Sequence, residues 1–148
     1  MNLPGVPQSL TSELRLAALD AGISRLALVG GVVRDLLIHQ LHNASLPDVK
    51  DFDWVVEGSA ISLAEALLKR CGSQRVTDIK QYGSYGTVSL CFDGILVDLA
   101  SARQEIYPAP AQNPLVKFGS LEQDLSRRDF SINAMAVDLM SGELVDSH

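Results

Sequence analysis

The sequence predicts an α+β fold in which helices flank a mixed β-sheet. The first half of the chain holds two strand–helix units, whereas the part that follows carries β-rich segments at 75–79, 87–92 and 95–100. Asp93-Gly94 lies between the last two segments, and an Asp-Gly pair between apolar runs is a strong hairpin signal. Antiparallel strands are therefore expected beside the parallel ones. A composition of 47% hydrophobic but only 5% aromatic residues favours an aliphatic core where helices cover a sheet.

The first elements are predicted to be a helix, a short strand and a second helix. Small and apolar side chains share one helical face at Leu10, Leu14, Ala17, Ala18 and Ala21. Gly22 ends this pattern, and residues 24–29 then have the character of a buried strand. Gly30-Gly31 follows directly, and 32–41 has the spacing of a helix. The order is strand, diglycine turn, helix.

A second strand–helix unit follows a polar, Pro-containing loop at 42–50. Residues 51–57, with the sequence DFDWVVE, are predicted to form the strand. Gly58-Ser59 has the character of a turn and an N-cap, and the helix 60–70 ends before Gly72. Its apolar face is predicted to consist of Ile61, Ala64, Leu67 and Leu68.

The last third of the chain is predicted to contain a mobile loop, two helices and a terminal hairpin. Residues 103–119 hold three prolines and show little periodicity, which is typical of a loop beside a functional site. Helical spacing resumes at 120–125 and 130–136. A final strand, turn and strand has Ser141-Gly142 at its turn. At 148 residues the chain is expected to form one domain.

Composition and charge limit the function classes. The net charge of -6 argues against a surface that binds nucleic acid unaided, because phosphate contacts need clustered Lys and Arg. Cys71 and Cys91 have neither the density of a disulfide scaffold nor the spacing of a zinc site, so both are expected to be buried free thiols. Without a signal-like start or a long apolar run, a soluble cytoplasmic protein with no membrane segment is expected.

The pair Asp51 and Asp53 is the first candidate for chemistry. The period-2 alternation of a strand places both carboxylates on one side, while Phe52 and Trp54 face the other. Mg²⁺ prefers oxygen ligands and is usually held by one or two carboxylates plus substrate phosphates. The alternative is two solvated acids at a strand edge, and for this pair alone the alternative is favoured.

Asp98 strengthens the metal hypothesis because it lies inside the apolar segment 95–100, where an unpartnered carboxylate is costly to bury. Three acids on neighbouring strands can hold two metal ions about 3.5–4 Å apart. One ion lowers the pKa of an attacking hydroxyl, and the other neutralises a departing pyrophosphate. A strand-end charge that reaches water is an equally weighted alternative for Asp98.

Gly30-Gly31 is a candidate anion site because a strand turns into a helix there, which exposes backbone N–H groups and the positive end of the helix dipole. Arg34, one turn into the helix, can reach the same anion with its planar guanidinium. A tight packing turn is the more frequent explanation of a diglycine. For Arg34 the alternative is a salt bridge with Asp35 or another acid.

Arg127-Arg128-Asp129 precedes the predicted helix 130–136, with Asn133 one turn inside. Arginine at a helix N-terminus opposes the dipole unless an anion offsets it, so this arrangement indicates a phosphate ligand. A plain N-cap role for Asp129 is an equally good interpretation. His39 and His42 are interpreted as surface residues, since no Cys or acid nearby completes a metal site with them.

Four segments occur in an order that resembles one known family. They are LVGGVVRDLL, KDFDWVVEGS, VDLASARQEIYP and LEQDLSRRDFSINAMAVD, and together they span about residues 26–146. The order is similar to that of the head domain of tRNA nucleotidyltransferases (CCA-adding enzymes) and bacterial poly(A) polymerases, which belong to the DNA polymerase beta superfamily. Each segment alone is weak evidence, whereas the four in order are specific.

The resemblance implies a role for each matching residue. It implies that Asp51, Asp53 and Asp98 are the catalytic carboxylates and metal ligands. It makes the segment after Arg103 the family's flexible loop, which is implicated in switching between CTP and ATP. The nucleotide-binding residues that it implies are Gly30, Gly31 and Arg34 at the triphosphate, and Arg128, Asp129 and Asn133 at the phosphate and sugar.

The sequence departs from the family pattern in two places. In the predicted helix, Arg34-Asp35 is followed by Leu-Leu-Ile-His, where the family usually has Leu-Leu-Gly. The loop that leads to Asp51 is longer than in compact members of the family. The chain also stops at His148, so the base-pairing neck and the tRNA-holding body and tail are expected to be absent. The expected organisation is a leader and helix at 1–22 and a nucleotidyltransferase head at 23–148.

The resemblance implies Mg²⁺-dependent transfer of a nucleoside monophosphate from ATP or CTP to an RNA (tRNA) 3′-hydroxyl, with release of pyrophosphate. Activity of this head-only chain is expected to be weak, because RNA binding needs the missing regions. The alternatives are a non-catalytic nucleotide-binding or interaction module with the same fold, and a nucleotidyltransferase for a small molecule or protein. The sequence determines neither the nucleotides added nor the oligomeric state.

Overall fold

The computed structural model describes residues 6–30, 33, 51–82, 86–106, 115–126 and 135–146. The helices within these ranges are α1 (Gln8–Asp20), α2 (Ala60–Cys71) and α3 (Leu121–Ser126). The strands are β1 (Leu26–Val29), β2 (Asp51–Val56), β3 (Val76–Tyr82), β4 (Thr87–Phe92), β5 (Ile95–Ser101), β6 (Arg103–Ile106), β7 (Leu115–Phe118), β8 (Met135–Asp138) and β9 (Leu144–Asp146).

Seven of these strands form one sheet in the order β3-β4-β5-β2-β1-β8-β9. The central pair β2 and β5 is parallel, whereas the other neighbouring pairs are antiparallel. The predicted α+β class with a mixed sheet flanked by helices is therefore confirmed. The parallel pair matters for function because β2 and β5 carry the acids that the sequence singles out.

Helices α1 and α2 cover one face of the sheet, which we call the core face. The apolar side chains of α1 at Leu10 and Leu14 are fully buried there with Phe52 and Trp54 of β2. Burying one such side chain contributes about 1.5–3 kcal/mol. The core face therefore holds most of the cohesion of the domain, and it leaves the opposite face available for polar groups.

The predicted helices largely match those observed, with small shifts. Helix α1 begins two residues before Leu10, and its predicted apolar residues other than the half-buried Ala21 are buried. In α2, Ser59 is the predicted N-cap, and its hydroxyl accepts a hydrogen bond from the N–H of Ser62 at 3.1 Å. The predicted face of α2 was partly wrong, since the buried residues are Ala60, Leu63, Ala64 and Leu67.

Both predicted hairpin turns are confirmed. Asp93 and Gly94 join β4 to β5 with φ angles of 48° and 82°. Two successive positive φ angles are the signature of the tight turn that Asp-Gly favours. Strands β8 and β9 pair around the turn that contains Ser141 and Gly142, as the sequence indicates.

Two predictions in the last third need correction. The segment 103–119 is not structureless, because β6 and β7 pair antiparallel within it. The predicted helix 130–136 is wrong at its end, since Met135 and Ala136 belong to β8. Ala136 pairs with Val29, and burial against β1 overrides the helical spacing. Residues 130–134 and the predicted helix and loop at 34–50 lie outside the described residues.

Among the residues that the structure describes, those on the second face of the sheet cover it only in part. Helix α3 packs Leu121 and Leu125 against Ala27, Val29 and Val55 in a smaller apolar cluster. This face is called the open face below. The two cysteines are free, but both are half-buried rather than buried as predicted. No helix within the described ranges is long and apolar enough to cross a membrane.

Candidate active site

The acids of β2 and β5 meet on the open face. Phe52 and Trp54 point into the core, so the alternation of the strand directs Asp53 to the other side. Asp53 is directly opposite Asp98 in the parallel pairing of β2 with β5. Neighbouring strands lie about 4.8 Å apart, so the two carboxylates share one small region of the surface. The structure thus brings together two acids that are separated by 45 positions in sequence.

The paired register extends this arrangement across the sheet. Val29 of β1 is opposite Asp53, Asp98 is opposite Ser89 of β4, and Ser89 is opposite Lys80 of β3. Directly opposed residues point to the same face of a sheet. We call this line of five side chains, which runs from the sheet centre to the β3 edge, the acid row.

An open pocket of about 370 Å³ lies over the centre of the acid row. Its volume falls within the range of roughly 300–1,000 Å³ that is usual for small-ligand sites. Its lining includes Val29, Gly30, Asp53, Thr87, Asp98 and Ala100. The pocket therefore combines an apolar floor with two carboxylates and one hydroxyl. Such a lining suits a ligand that has an apolar part and a negatively charged part, with a cation between that charge and the carboxylates.

The donor chemistry of the pocket fits a hard divalent cation. Asp53 is exposed and Asp98 is half-buried, and a cation bound between carboxylates on neighbouring strands would be attracted by both. Carboxylate oxygens on neighbouring strands are the donors that Mg²⁺ accepts while it keeps water and phosphate ligands. The side chain of the third predicted acid, Asp51, is outside the described part, although its backbone begins β2 opposite Leu96.

Gly30 brings the end of β1 close to the acid pair. Its φ angle is 89°, a region that glycine enters without strain. A Cβ atom at this position would lie 3.9 Å from Oδ2 of Asp53. The N–H of Val33 donates to the carbonyl of Gly30 at 3.1 Å, which starts a helical turn. The turn at Gly30 and the candidate metal ligand Asp53 are thus neighbours. An anion site at the glycine pair and a metal site at the acids require this proximity if they are to bind one ligand together.

Five of the predicted nucleotide-binding residues lie outside the described residues. They are Gly31, Arg34, Arg128, Asp129 and Asn133. Their roles stay predictions. Two of the segments that contain them directly follow described residues. Gly31 comes after Gly30, and Arg127-Arg128 comes after Ser126, the last residue of α3.

Two hydroxyl residues on β4 were missed by reasoning from the sequence. Thr87 lines the pocket, and Ser89 is only 9% exposed beside Asp98. The alternation of β4 was a signal that could have found them, since Val88, Leu90 and Phe92 are the apolar residues of that strand. What the sequence lacked was the register that sets β4 against Asp98.

An ion cluster that was also missed fixes the start of α3. The guanidinium of Arg25 contacts Glu57 and Glu122 at 2.8 Å each, and its Nε lies 3.9 Å from Asp138. The carboxylate of Glu57 also accepts a hydrogen bond from the N–H of Leu121 at 2.9 Å. The Arg25 hydrogen bond lowers the pKa of Glu122, and the acids in turn raise the pKa of Arg25 against the effect of burial. This cluster holds the helix that leads into 127–129.

Residues 26–148 match the poly(A) polymerase head domain family. The chain is 42% identical over 115 residues to the A-adding tRNA nucleotidyltransferase of Aquifex aeolicus. The match covers 78% of this chain and 13% of that protein. It is 39% identical over 117 residues to the CC-adding tRNA nucleotidyltransferase of Deinococcus radiodurans, covering 78% of this chain and 28% of that protein.

Solved structures show the same fold. A tRNA nucleotidyltransferase complexed with a primer tRNA and an incoming ATP analogue is 35% identical, with a TM-score of 0.66, over 90% of this chain and 34% of that one. The CCA-adding enzyme of Thermotoga maritima, complexed with tRNA, is 29% identical, with a TM-score of 0.68, over 97% of this chain and 30% of that one. The present chain spans about a third or less of the length of each of these proteins.

Proposed function

The chain belongs to the poly(A) polymerase head domain family, and from this membership we propose that it transfers a nucleoside monophosphate from ATP or CTP to the 3′-hydroxyl of a tRNA. Pyrophosphate is the leaving group. The observation that carries the proposal is the direct opposition of Asp53 and Asp98 on the open face, with Gly30 beside them. The names of the relatives, A-adding and CC-adding tRNA nucleotidyltransferase, support the reaction class.

The proposed unit is a nucleotidyltransferase head at 23–148, preceded by a leader and helix at 1–22. Helix α1 is nevertheless part of the same core, since Leu10 and Leu14 are buried with the sheet residues. The relatives include A-adding, CC-adding and CCA-adding enzymes, so the fold is compatible with addition of either nucleotide. We propose ATP and CTP as the substrate pair.

The proposed cofactor is Mg²⁺, with Asp51, Asp53 and Asp98 as its ligands. Bound there, the metal would supply charge neutralisation of the triphosphate and would acidify the primer hydroxyl. The carboxylates hold the reacting groups on the open face, where β2 and β5 fix their relative position. Both strands lie inside the sheet and are hydrogen-bonded on both sides, which holds the acids in place and favours the in-line geometry of phosphoryl transfer.

The triphosphate is proposed to contact Gly30, Gly31 and Arg34. The absence of a side chain at Gly30 lets a phosphate approach both the backbone and Asp53. We propose that Arg128 and Asp129 contact the phosphate and sugar of the incoming nucleotide, with Asn133 in support. The link from the Arg25 cluster to α3 supports this proposal, because α3 ends at Ser126 and Arg127 follows it directly in the chain.

Incorporation of radiolabelled ATP or CTP into tRNA that lacks its 3′ end tests the proposal. The chain is compared with Asp53→Ala, with Asp20→Asn as the matched control. Asp20 is the last residue of α1, and its carboxylate is 54% exposed and remote from the open face. Metal-dependent incorporation by the chain and the control, but not by Asp53→Ala, supports the function. Equal signal from all three would reject catalysis through this pair.

Metal-dependent ATP binding without incorporation would favour the non-catalytic module instead. The net charge of -6 is the observation behind this second candidate, because it disfavours unaided RNA binding. Titration calorimetry with ATP and Mg²⁺ measures this binding. A chain that shows no metal-dependent heat and no incorporation would contradict both candidates.

A further inference from the structure

The outer end of the acid row carries an exposed aromatic side chain and a cation that the proposed chemistry does not use. Lys80 continues the row beyond Ser89, and Tyr82 lies opposite Thr87, which lines the pocket. Tyr82 is 52% exposed. Both residues are on β3, the edge strand of the sheet, and their pairing directs them to the open face.

We propose that Lys80 and Tyr82 form a docking strip for the last nucleotides of the RNA primer. The inference rests on the proposed function, which requires an RNA 3′-hydroxyl at the acid pair. The ammonium of Lys80 would contact a backbone phosphate, and the ring of Tyr82 would stack on a base. Exposed aromatic rings beside cations on a sheet surface are the usual platform for single-stranded nucleic acid.

The geometry of the sheet sets the strip at a suitable distance from the reaction. Lys80 is two strands away from Asp98, which corresponds to about 10 Å between their backbones. A primer end at Asp98 that continues over Thr87 therefore meets Tyr82, with Lys80 two residues away on the same strand. Thr87 is half-buried, lines the pocket and pairs with Tyr82, so it connects the pocket to the strip.

Lys80 supplies the positive charge at the outer end of the acid row. Within the described residues Lys80 forms no salt bridge, whereas Arg25, Arg70 and Arg75 are each bound to carboxylates. Placing a cation at the rim of an acidic pocket compensates for the repulsion that a polyanionic primer would meet there.

The β3 edge is poorly suited to the main alternative, pairing with a strand of another protein. The β3–β4 register is interrupted between Thr77 and Lys80, and Asp78 has a φ angle of 55°. Bulges and charged residues on an edge strand oppose strand addition. The side chains of the strip, and not its backbone, are therefore the recognition elements.

The test measures KM and kcat for tRNA lacking its 3′ end, KM for ATP, and RNA binding by fluorescence anisotropy at low salt. Tyr82→Ala is expected to raise KM for the RNA by about ten-fold, because removing an aromatic ring that stacks on one base lowers RNA affinity by about that factor. KM for ATP stays unchanged, and Tyr82→Phe, which keeps the ring, stays near wild type. Lys80→Gln is expected to weaken RNA binding and to reduce its logarithmic salt slope by about 0.7.

Gln81→Ala is the matched control, since Gln81 is also an exposed residue of β3 and its register partner Val88 belongs to the core face. Equal RNA parameters for Tyr82→Ala and Gln81→Ala in an active chain would overturn the docking strip alone. A chain that neither extends nor binds the RNA would overturn the proposed function, and the strip with it. Self-association that is lost in Tyr82→Ala while KM for RNA is unchanged would reassign the edge to protein contact.

Discussion

Asp53 and Asp98 are directly opposed on the parallel strands β2 and β5, each at the middle of its strand and on the face that α1 and α2 do not cover. Parallel pairing gives both carboxylates the same orientation relative to the sheet. The arrangement explains why two acids can stand near an apolar core without facing it. It also makes either acid open to isosteric substitution without loss of packing.

Asp98→Asn is expected to lower nucleotide incorporation by about 100-fold or more, because loss of a metal-ligand charge removes several kcal/mol of transition-state stabilisation. The amide has nearly the shape of the carboxylate, so thermal stability should be nearly unchanged. Incorporation assays and thermal melts check this pair of outcomes. Full activity in Asp98→Asn would remove this residue from the metal site.

Gly30→Ala is expected to raise KM for ATP and to destabilise the fold by about 1–2 kcal/mol, since an alanine at a φ angle of 89° is strained. Its methyl group would also stand 3.9 Å from the Asp53 carboxylate. Gly22→Ala is the control, because Gly22 has a φ angle of 73° and a methyl group there would meet no atom within 4 Å. Chemical denaturation should show similar losses for both variants, while only Gly30→Ala changes KM. An unchanged KM in Gly30→Ala would argue against a phosphate site at this turn.

Arg25→Gln is expected to reduce stability near neutral pH by about 1–2 kcal/mol, between the values for surface and buried ion pairs, because Arg25 is 28% exposed and contacts three acids. The folded-state pKa of Glu122 is lowered by Arg25, so this contribution is present above the unfolded pKa of Glu122 and is lost as pH falls through the folded pKa. Urea denaturation of both proteins between pH 7 and about pH 3 measures the difference. If the difference in unfolding free energy between the two proteins stays constant or grows in acid, the ion cluster does not contribute to stability as expected.

Cys71 is expected to be alkylated slowly. Burial first, and then the hydrogen bond to Glu13 at 3.4 Å, raise the pKa of its thiol to about 11. At pH 8 the thiolate fraction is then lower by about 100-fold than for a cysteine of ordinary pKa near 8.5–9. Mass spectrometry after iodoacetamide treatment of a Cys91→Ser background gives the rate. Glu13→Ala should accelerate the reaction, and an unchanged rate would show that Glu13 does not control this thiol.

Much of the fold could be predicted from the sequence because local signals and tertiary packing agree there. The Asp93-Gly94 turn, the Ser59 cap and the apolar face of α1 are determined by residues within a few positions of each other. Where they disagree, packing prevails. The 130–136 segment has helical spacing, yet Ala136 is buried in a strand because Val29 offers it a partner.

The sequence by itself determined which acids and glycines are candidates, and that Asp51 and Asp53 alternate with the core residues Phe52 and Trp54. Only the tertiary structure decided that Asp98 lies opposite Asp53, that Gly30 borders the same carboxylate, and that Lys80 and Tyr82 continue the surface outward. The physical reason is that strand alternation is a local property with a period of two residues, whereas register joins residues distant in the chain. Register depends on how the whole sheet buries its apolar face against α1 and α2, which short sequence windows do not encode.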